Sequence, residues 1–445
     1  MSVEKLGIPT ATMVTTMFET VAKTIAFKKG MPNQRIVYVP HPIAGRPESL
    51  LREYIEGKDP VTGKEVAQEI INALTGPPTD EEGKTGTLER EEQKAIESNT
   101  RDNLHRLFLN NQWTDGLPII LPTREKVDKM LKGTHHQPDE VVGTMAPSSP
   151  HEAWEFTVEK VAINAVMAGA EPEFLPVILA IASTGVTCLF SSTTSFARIV
   201  VVNGPIRDQI GMNSGIGAMG PFSHVNAAIG RAWTLISRNL GGGAIPGETY
   251  MGSQGNNLNY NNVCIAENEE KSPWQPLHVQ KGFSPLESAV SLFHGWCIIH
   301  QHGATGGEKI YHKKMSNLLG SFSPYSSETN EAGALILADP IVARDLNEMY
   351  GFGTKEKLSQ WLQENTLMTA GDYWDNSLVH SFSLPLARKG VEPFASWLEL
   401  PKDTAIPRFP TPNAINIVVV GGETNAFWQA GDFRHFKSAS IDSWR

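Results

Sequence analysis

The sequence has few cysteines, a modest charge and no long apolar run. The cysteines are Cys188, Cys264 and Cys297 in 445 residues, too few for a disulfide framework and not in a zinc-type spacing. No stretch of about 18 apolar residues is present, and the N-terminus lacks the basic and apolar regions of a signal peptide. The formal net charge of −10 disfavours nucleic acid, which selects basic surfaces. We therefore expect a cytoplasmic protein that binds neither nucleic acid nor membranes.

What the chain does contain is an alternation of strand-like and helix-like segments, which is typical of an α/β fold. We expect a small N-terminal βαβ (Rossmann-like) portion at 1–78 and a charged linker at 79–102. A larger α/β domain with glycine-rich loops should follow at 103–445. No internal repeat is evident in the sequence.

The N-terminal portion predicts two parallel strands, Gly7–Val14 and Gln34–Val39, on either side of a helix. Parallel sheets are normally buried on both faces, so a two-stranded one is incomplete. Either later strands or another polypeptide should complete it. Chemistry in such units sits beyond the carboxyl ends of the strands. This places Thr15 and Thr16 as substrate ligands and His41 as a catalytic residue, unless His41 is a turn histidine satisfied by backbone.

The stretch from Ala197 to His278 contains the most site-like pattern in the chain. An apolar strand at 197–202 leads into a glycine-rich loop at 211–221 and then a helix that begins after Ser223. The free N–H groups at that helix start suit a carboxylate or phosphate. The alternative is a loop that packs against its own sheet. The residues we assign to substrate or anion binding are Asn203, Asn213, Ser214, Ser223 and Arg231.

The same loop contains Gly215-Ile-Gly217-Ala-Met-Gly220, which matches the glycine pattern of dinucleotide-binding loops. In that fingerprint the loop leaves a strand directly and opens a helix at once, whereas here about a dozen residues separate it from the strand. No acidic residue closes a second strand at the expected distance. Nicotinamide and flavin are therefore unlikely cofactors.

A second group of polar residues follows, with Glu267, Glu269, Glu270 and His278 close together in sequence. Several carboxylates this close repel one another unless they are solvated, paired or bound to a metal. We assign Glu267 and His278 to catalysis, as general acid–base groups, and Glu269 to a divalent ion. The alternative is a solvated charged turn that includes Lys271.

A third group is Cys297-Ile-Ile-His300-Gln-His302. On a strand, His300 and His302 point the same way, which is a spacing that suits a transition metal. On a helix, Cys297 and His300 would be the neighbours instead. Cys297, His300 and His302 are therefore candidate metal ligands, and the alternative is ordinary histidines near a surface.

Several segments together resemble the UGSC family, a poorly characterised family named for a Sec/Cys-Gly-Ser-Cys motif. Leu6-Gly-Ile-Pro-Thr10 resembles the segment that follows that motif and is more loosely similar to selenoprotein subunits of glycine and proline reductases. The resemblance spans most of 3–300 and is most specific at 203–283. The other segments that carry it are Asn203-Gly-Pro, Gly211-Met-Asn-Ser-Gly, Ala227-Ala-Ile-Gly-Arg231, Gly242-Gly-Ala-Ile-Pro-Gly247 and Ala266-Glu-Asn-Glu-Glu-Lys-Ser-Pro-Trp-Gln-Pro-Leu-His278.

The resemblance implies an enzyme with thiol or selenol redox chemistry, or reductive cleavage, on a small polar and anionic substrate. Cys-Gly-Ser-Cys itself does not occur in this sequence. We therefore expect a small partner subunit that carries the motif and the missing strand and docks against 6–42, which gives a hetero-oligomer with an interfacial site. The alternatives are a metal-dependent lyase or hydratase that uses the Glu and His residues, and a non-catalytic scaffold subunit.

Overall fold

The computed structural model describes residues 3, 6–28, 30–43, 46–77, 79, 81–82, 95–97, 99–145, 155–243, 245–247, 252–260, 263–301, 309–325 and 332–445. Its strands are β1 (Thr12–Thr15), β2 (Ile36–Val39), β3 (Val141–Thr144), β4 (Glu155–Thr157), β5 (Ala197–Asn203), β6 (Val263–Ala266), β7 (Ala289–Gly295), β8 (Ile298–Gln301), β9 (Ala334–Ala338), β10 (Leu367–Thr369), β11 (Ala405–Pro407), β12 (Ile415–Val419), β13 (Trp428–Gly431) and β14 (Arg434–Ser440).

The α-helices of the described residues are α1 (Glu19–Lys28), α2 (Glu48–Glu56), α3 (Val66–Thr75), α4 (Arg101–Asn110), α5 (Arg124–Met130), α6 (Val158–Ala168), α7 (Leu175–Ser183), α8 (Ile206–Gln209), α9 (His224–Asn239), α10 (Leu277–Gln280), α11 (Tyr311–Leu319), α12 (Pro340–Tyr350), α13 (Lys355–Asn365), α14 (Ala370–Trp374), α15 (Ser377–Arg388) and α16 (Phe394–Leu398). The predicted α/β class is confirmed.

The N-terminal unit, residues 6–77, is a two-stranded parallel sheet with helices. β1 pairs with β2 in parallel, and no third strand of the described residues joins them. Val37 and Val39 pack with Val66 of α3 on one face. On the other face, the Lys23 ammonium of α1 lies 5.9 Å from the centre of the Tyr38 ring. The outer edge of β1 is therefore open in the described part of the chain.

The main body contains two four-stranded sheets of the same design. The first runs β6-β5-β7-β14 and the second β12-β9-β13-β8. In each, two parallel strands are followed by two antiparallel ones: β5 is parallel to β6, β9 is parallel to β12, and the remaining neighbours are antiparallel. The structure therefore has a topological repeat that the sequence did not reveal.

The two sheets exchange their last strands. β7 of the first sheet continues into β8 of the second, and β13 of the second continues into β14 of the first. The two crossings touch, because Asp432 Oδ1 accepts hydrogen bonds from the backbone N–H groups of Trp296 (3.2 Å) and Cys297 (3.0 Å). A Cβ at Gly295 would lie 2.3 Å from the carbonyl oxygen of Asp432, so only glycine fits there.

The sheets pack face to face, with helices on both outer sides. Ile199 and Val201 of β5 contribute to an apolar layer with Leu337 of β9 between the sheets. The opposite face of the first sheet packs against α6, α7 and α9, and that of the second against α11, α12 and α13. This gives four layers, helix–sheet–sheet–helix, in which both parallel pairs are buried on both faces.

The helix predicted to begin after Ser223 is confirmed, and the Ser223 side chain caps it as α9. Thr123 and Thr354 cap α5 and α13 in the same way. The apolar residues 119–121 form no strand. The helix α6 begins at Val158, directly after β4.

The predicted linker at 79–102 lies largely outside the described residues, so the proposed domain boundaries stay predictions. The helix α4 begins at Arg101, inside the predicted linker, and Thr100 caps it. No helix of the described residues is long and apolar enough to cross a membrane.

Candidate functional site

The carboxyl ends of the four parallel strands meet at one edge of the double sheet. The backbone N–H of Asn268, just after β6, donates to the carbonyl of Val419 in β12 (2.8 Å). The backbone N–H of Gly421, after β12, donates to the carbonyl of Ser214 in the glycine-rich loop (3.0 Å). In open α/β sheets this edge is where ligands bind, so the predicted residues after β5 and β6 fall in the expected place.

Glu267 lies at the centre of this edge and is fully buried. Its Oε2 accepts from Asn203 Nδ2 and from the backbone N–H of Leu277, both at 2.7 Å. Its Oε1 pairs with Lys355 Nζ at 2.5 Å, and Lys355 is buried as well. Glu267 therefore links the end of β6 to α13 and to the second sheet. Sequence reasoning missed Lys355, because it lies far along the chain.

Glu269 and Glu270 share a cation, Arg207. Glu269 Oε1 accepts from Asn203 Nδ2 (2.9 Å) and from the backbone N–H of Gly204 (2.8 Å), and lies 3.1 Å from Arg207 Nε. Arg207 Nη2 donates to Glu270 Oε1 at 2.7 Å, which lowers the pKa of that carboxyl. The expected repulsion among these carboxylates is thus balanced by Arg207 and Lys355, and Glu270 is also solvated.

His278 is the unusual member of the cluster. It is fully buried in α10, and neither ring nitrogen has a hydrogen-bond partner among the described residues. Its Nδ1 lies 4.0 Å from Glu269 Oε1. Asn203 Oδ1 is also buried and has no hydrogen-bond partner among the described residues. An unmade hydrogen bond at a buried polar atom costs about 1–3 kcal/mol, so these atoms are the energetically costly part of the cluster.

The exposure of the cluster's side chains increases from the interior to the surface. Glu267, His278 and Asn203 are closed off, Glu269 is nearly so, and the Glu270 side chain is 57% exposed. Acid–base chemistry requires contact with the reacting atom. Only the Glu269 and Glu270 end of this cluster offers that contact in the present arrangement.

The polar residues of the glycine-rich loop bond mainly to one another. The Asn226 side chain links the backbone of Asn213 (3.1 Å) to the Ser223 hydroxyl (2.8 Å). Asn213 Oδ1 also accepts from the backbone N–H of Gly215. Ser214 contributes its carbonyl to Gly421. These contacts occupy several of the loop's polar groups, and both anion binding there and its alternative, a loop that packs against its own sheet, stay predictions.

Arg231 lies elsewhere and already has a partner. Its Nε and Nη2 donate to the two carboxylate oxygens of Asp115 at 2.8 and 2.9 Å, and Nη2 also bonds the carbonyl of Pro118. A guanidinium held in two hydrogen bonds by a carboxylate has little left for a substrate anion. The structure does not bring Arg231 to Glu267 and His278.

The N-terminal unit brings two of its predicted residues together. Thr15 Oγ1 and His41 Nδ1 are 3.0 Å apart at the carboxyl ends of β1 and β2. The Phe18 ring meets the His41 ring edge-on at 5.6 Å. His41 is exposed and Thr16 is half-buried beside Thr15. The hydrogen bonds described for this unit end within residues 3–82, so none of them joins it to the Glu267 cluster.

The predicted metal ligands do not form a group in the described residues. Cys297 lies in the crossing between β7 and β8, where burial and Asp432 raise the pKa of its thiol. His300 is on β8 opposite Gln429, and His302 lies outside the described residues. No set of three or more His, Cys, Asp or Glu side chains in the described ranges is arranged to hold a metal.

The remaining thiols are also poorly suited to redox chemistry. Cys188 and Cys264 are buried. Burial raises the pKa of the Cys264 thiol to about 12. The thiolate is the reactive form of cysteine, so neither Cys264 nor Cys297 is activated by its surroundings.

The comparisons with known proteins agree with part of the resemblance. The model of the UGSC family matches residues 1–76. The resemblance is therefore confirmed for the N-terminal unit, while the segments at 203–283 lie outside the match and their likeness stays a prediction. No curated protein and no solved structure matches the chain.

Proposed function

We propose that this chain is the large subunit of a UGSC-type enzyme whose reactive thiol or selenol is supplied by a small second polypeptide. The reaction would be thiol or selenol redox chemistry, or reductive cleavage, on a small polar and anionic substrate. The observation that carries the proposal is the open two-stranded sheet, which lies within the residues that the family model matches. The added polypeptide would extend this sheet beyond β1.

The flank beside β1 supports such an addition. An open strand edge offers unpaired N–H and C=O groups to another strand. Met13 of β1 is 47% exposed and Met17, just beyond it, is 60% exposed. Leu6, Ile8 and Ile43 are exposed as well. Contiguous exposed apolar side chains are typical of protein interfaces, so a partner that covered this flank would complete the unit.

Thr15 and His41 would then face the partner. They lie at the carboxyl ends of the parallel strands, where chemistry is usual. The Nδ1 of His41 is engaged by Thr15, while the ring itself is exposed. A histidine in that position can accept a proton from an incoming thiol or selenol and stabilise the anion that forms. Neither Cys264 nor Cys297 offers an activated thiol for this role.

The test is co-purification of the tagged full-length chain from cells that naturally express it, followed by native mass spectrometry and peptide sequencing. We expect a complex with a small polypeptide that contains Cys-Gly-Ser-Cys or its selenocysteine form. Met13→Lys and Met17→Glu should reduce the yield of this complex at least tenfold. Leu286→Lys, at a residue of the main body that is 82% exposed, is the matched control. A chain that is folded and active alone would overturn the proposal.

The second candidate, a metal-dependent lyase or hydratase, is favoured by the unpartnered nitrogens of His278 beside Glu269. It predicts a bound divalent ion, detectable by elemental analysis, that is lost in Glu269→Gln. A metal content of zero in active protein would contradict it. In the third candidate, a scaffold subunit, Glu267→Gln and His278→Asn would leave turnover unchanged in an intact assembly.

A further inference from the structure

The segment 441–445, which follows β14, is tied to the start of α8 through one buried serine. Ile441 is fully buried, and its backbone N–H donates to the carbonyl of Ser288 at 2.8 Å. Asp442 Oδ2 accepts from the backbone N–H of Ser288 at 2.9 Å. The Ser288 hydroxyl in turn accepts from the backbone N–H of Ile206, the first residue of α8, at 3.1 Å.

The same segment also contacts the far end of α8. Arg445 Nη2 donates to Gln209 Oε1, on the last residue of that helix, at 2.7 Å. Between these two contacts lies Arg207, the buried cation that Glu269 and Glu270 share. The position of the segment 441–445 is therefore connected by direct contacts to the helix that supplies charge to the candidate site.

A loop of residues 134–140 holds the segment from the other side. The Thr134 hydroxyl donates to the carbonyl of Trp444 at 2.7 Å. The His136 ring lies 4.8 Å from the Trp444 ring, centre to centre. His136 Nε2 is 2.8 Å from the carbonyl oxygen of Ser443, and His136 Nδ1 is 2.8 Å from Glu140 Oε1. One imidazole therefore bridges the loop and the segment.

Both partners of His136 are hydrogen-bond acceptors. A backbone carbonyl accepts only, and so does an ionised carboxylate. A neutral imidazole has one N–H and can donate to one of them, whereas the protonated ring donates to both. An aromatic face within about 6 Å also favours a cation, and the Trp444 ring lies in that range. The two contacts are satisfied together only when His136 carries the second proton.

The charges around His136 agree with this assignment. Burial lowers the pKa of His136, but its hydrogen bonds to Glu140 and Ser443 and the charge of Glu140 outweigh that effect, so the pKa is raised. The other charged residues of the described loop, the segment and the start of α6 are mutually paired or exposed: Asp442 with Arg445, Glu159 with Arg124, and the exposed Lys132, His135 and Asp139.

We propose that the segment 441–445 is a proton-dependent latch on α8, closed while His136 is protonated and released as His136 loses that proton. The neutral ring serves only one acceptor, so the contact with Ser443 or the contact with Glu140 is lost. The pKa of His136 in the folded chain lies above the unfolded value of about 6.5. The stabilisation of the closed latch is therefore complete below that pH and is lost as the pH rises through the folded pKa.

The experiment is hydrogen exchange of the full-length protein at pH 6 and pH 8.5, read by mass spectrometry on the peptide that contains 441–445. The comparison is with His136→Gln, whose amide is neutral at both pH values, because the ratio of the two rates cancels the intrinsic pH dependence of exchange. At pH 6 the variant should exchange about three- to tenfold faster than the wild type, the effect of one partly exposed charge-assisted hydrogen bond. At pH 8.5 the two should be equal, and a ratio that is the same at both pH values would overturn the proposal.

His135→Gln is the matched control, since His135 is the exposed neighbour of His136, and it should follow the wild type at both pH values. Exchange in the peptide that contains α8 should change together with that of 441–445. No change there would overturn the connection between the latch and Arg207.

A histidine titration gives an independent readout on the charge itself. In protein with carbon-13-labelled histidine, the NMR signal of His136 is identified by its absence in His136→Gln. Its midpoint should lie above 6.5, and Glu140→Gln should lower it, because the charge that favours the protonated ring is removed. A wild-type midpoint at or below 6.5, or one that Glu140→Gln leaves unchanged, would overturn the proposal.

Discussion

The N-terminal unit and the main body use the same parallel pairing of strands, but only the main body completes it. In the main body, the parallel pairs β5–β6 and β9–β12 are each extended in the sheet by two antiparallel strands. Each pair is covered by helices on one face and by the other sheet on the opposite face. In the N-terminal unit, no further strand of the described residues extends β1–β2, and large apolar side chains around it are exposed. The family model matches this incomplete unit. The main body therefore buries both faces of its parallel pairs, whereas the N-terminal pair leaves apolar side chains exposed, which is the contrast that our proposal of a second polypeptide rests on.

The largest effect should come from breaking the buried ion pair of the main body. Lys355→Met leaves the Glu267 carboxylate buried without its cation, and losing one partner of a buried pair costs about 3–5 kcal/mol of unfolding free energy. Urea unfolding followed by tryptophan fluorescence measures this, since every tryptophan of the chain lies at or beyond Trp113. Lys23→Met, at the exposed Lys23–Glu19 pair of the N-terminal unit, is the control and should leave the curve unchanged. A loss of less than 1 kcal/mol of unfolding free energy for Lys355→Met would contradict the inference that Glu267 is a buried carboxylate that depends on the charge of Lys355.

A second test compares side chains on the two kinds of sheet. Leu335→Ala, in the apolar layer between the sheets, should cost about 2–5 kcal/mol because it leaves a cavity. Met13→Ala, on the open sheet, should cost less than about 0.5 kcal/mol in the isolated chain. Hydrogen exchange of the backbone amides of residues 6–77 measures the change in stability caused by Met13→Ala. If Met13→Ala destabilised the unit as strongly as Leu335→Ala destabilises the main body, the flank would already be covered in the isolated chain.

Two glycines with a left-handed backbone sharpen the contrast further. Gly204 has φ +86°, and a Cβ there would lie 2.4 Å from the carbonyl oxygen of Glu287, whereas Gly63 has φ +73° and open space. Gly63→Ala should therefore cost only the backbone strain of about 1–2 kcal/mol. Gly204→Ala adds a clash and should cost about 2–4 kcal/mol. Thermal unfolding of both variants tests this, and equal losses would show that the close approach at Gly204 is relieved without cost.

The smallest expected effect is in the acid range. Burial, with the charge of Arg198, lowers the pKa of His294 to about 2, and an unfolded histidine titrates near 6.5. The unfolded chain therefore binds the proton first, and main-body stability should fall on the order of 1 kcal/mol per pH unit as the pH drops below 6.5. Glu82 of the N-terminal region, with a pKa lowered to about 2 by Arg35, keeps its contribution above pH 4.5 and loses it only as the pH falls toward 2.

Denaturation at pH 7, 6 and 5 measures this difference, with tryptophan fluorescence for the main body and hydrogen exchange for residues 6–77. His294→Asn should reduce the pH dependence of the main body. A main body that is equally stable at pH 7 and pH 5 would show that His294 is protonated in the folded state.

The elements that the sequence predicted are those set by local patterns. The apolar run of β5 and the cap Ser223 depend on neighbouring residues alone. The strands β13 and β14 were missed for a different reason. β14 carries Arg434, His435, Lys437 and Ser438 with a bulge in its pairing, so its pattern is not that of a buried strand. Its place is set by the strand exchange, which no local pattern encodes.

The candidate site shows the same division. The sequence assigned Asn203 and Glu267 to separate groups of candidate residues. The structure brings them together, because they lie at the ends of the paired parallel strands β5 and β6 and such ends meet at one edge. Lys355 and its bond to Glu267 depend on how α13 packs, and the ion pairs of Arg207 depend on how α8 packs. These are tertiary contacts between distant parts of the chain. The sequence alone therefore named some residues of this cluster but not the charges that balance it.

The exchanged strands also bear on how the protein is made. β7 leaves the ribosome long before β14, so its outer edge must wait for the last strand of the second sheet before it is paired. A chain that stopped short of Arg434 would leave that edge open beside an apolar interior, which is a template for aggregation. Neither sheet is a separable module, and we expect the main body to reach its native form only after synthesis has passed the final strand.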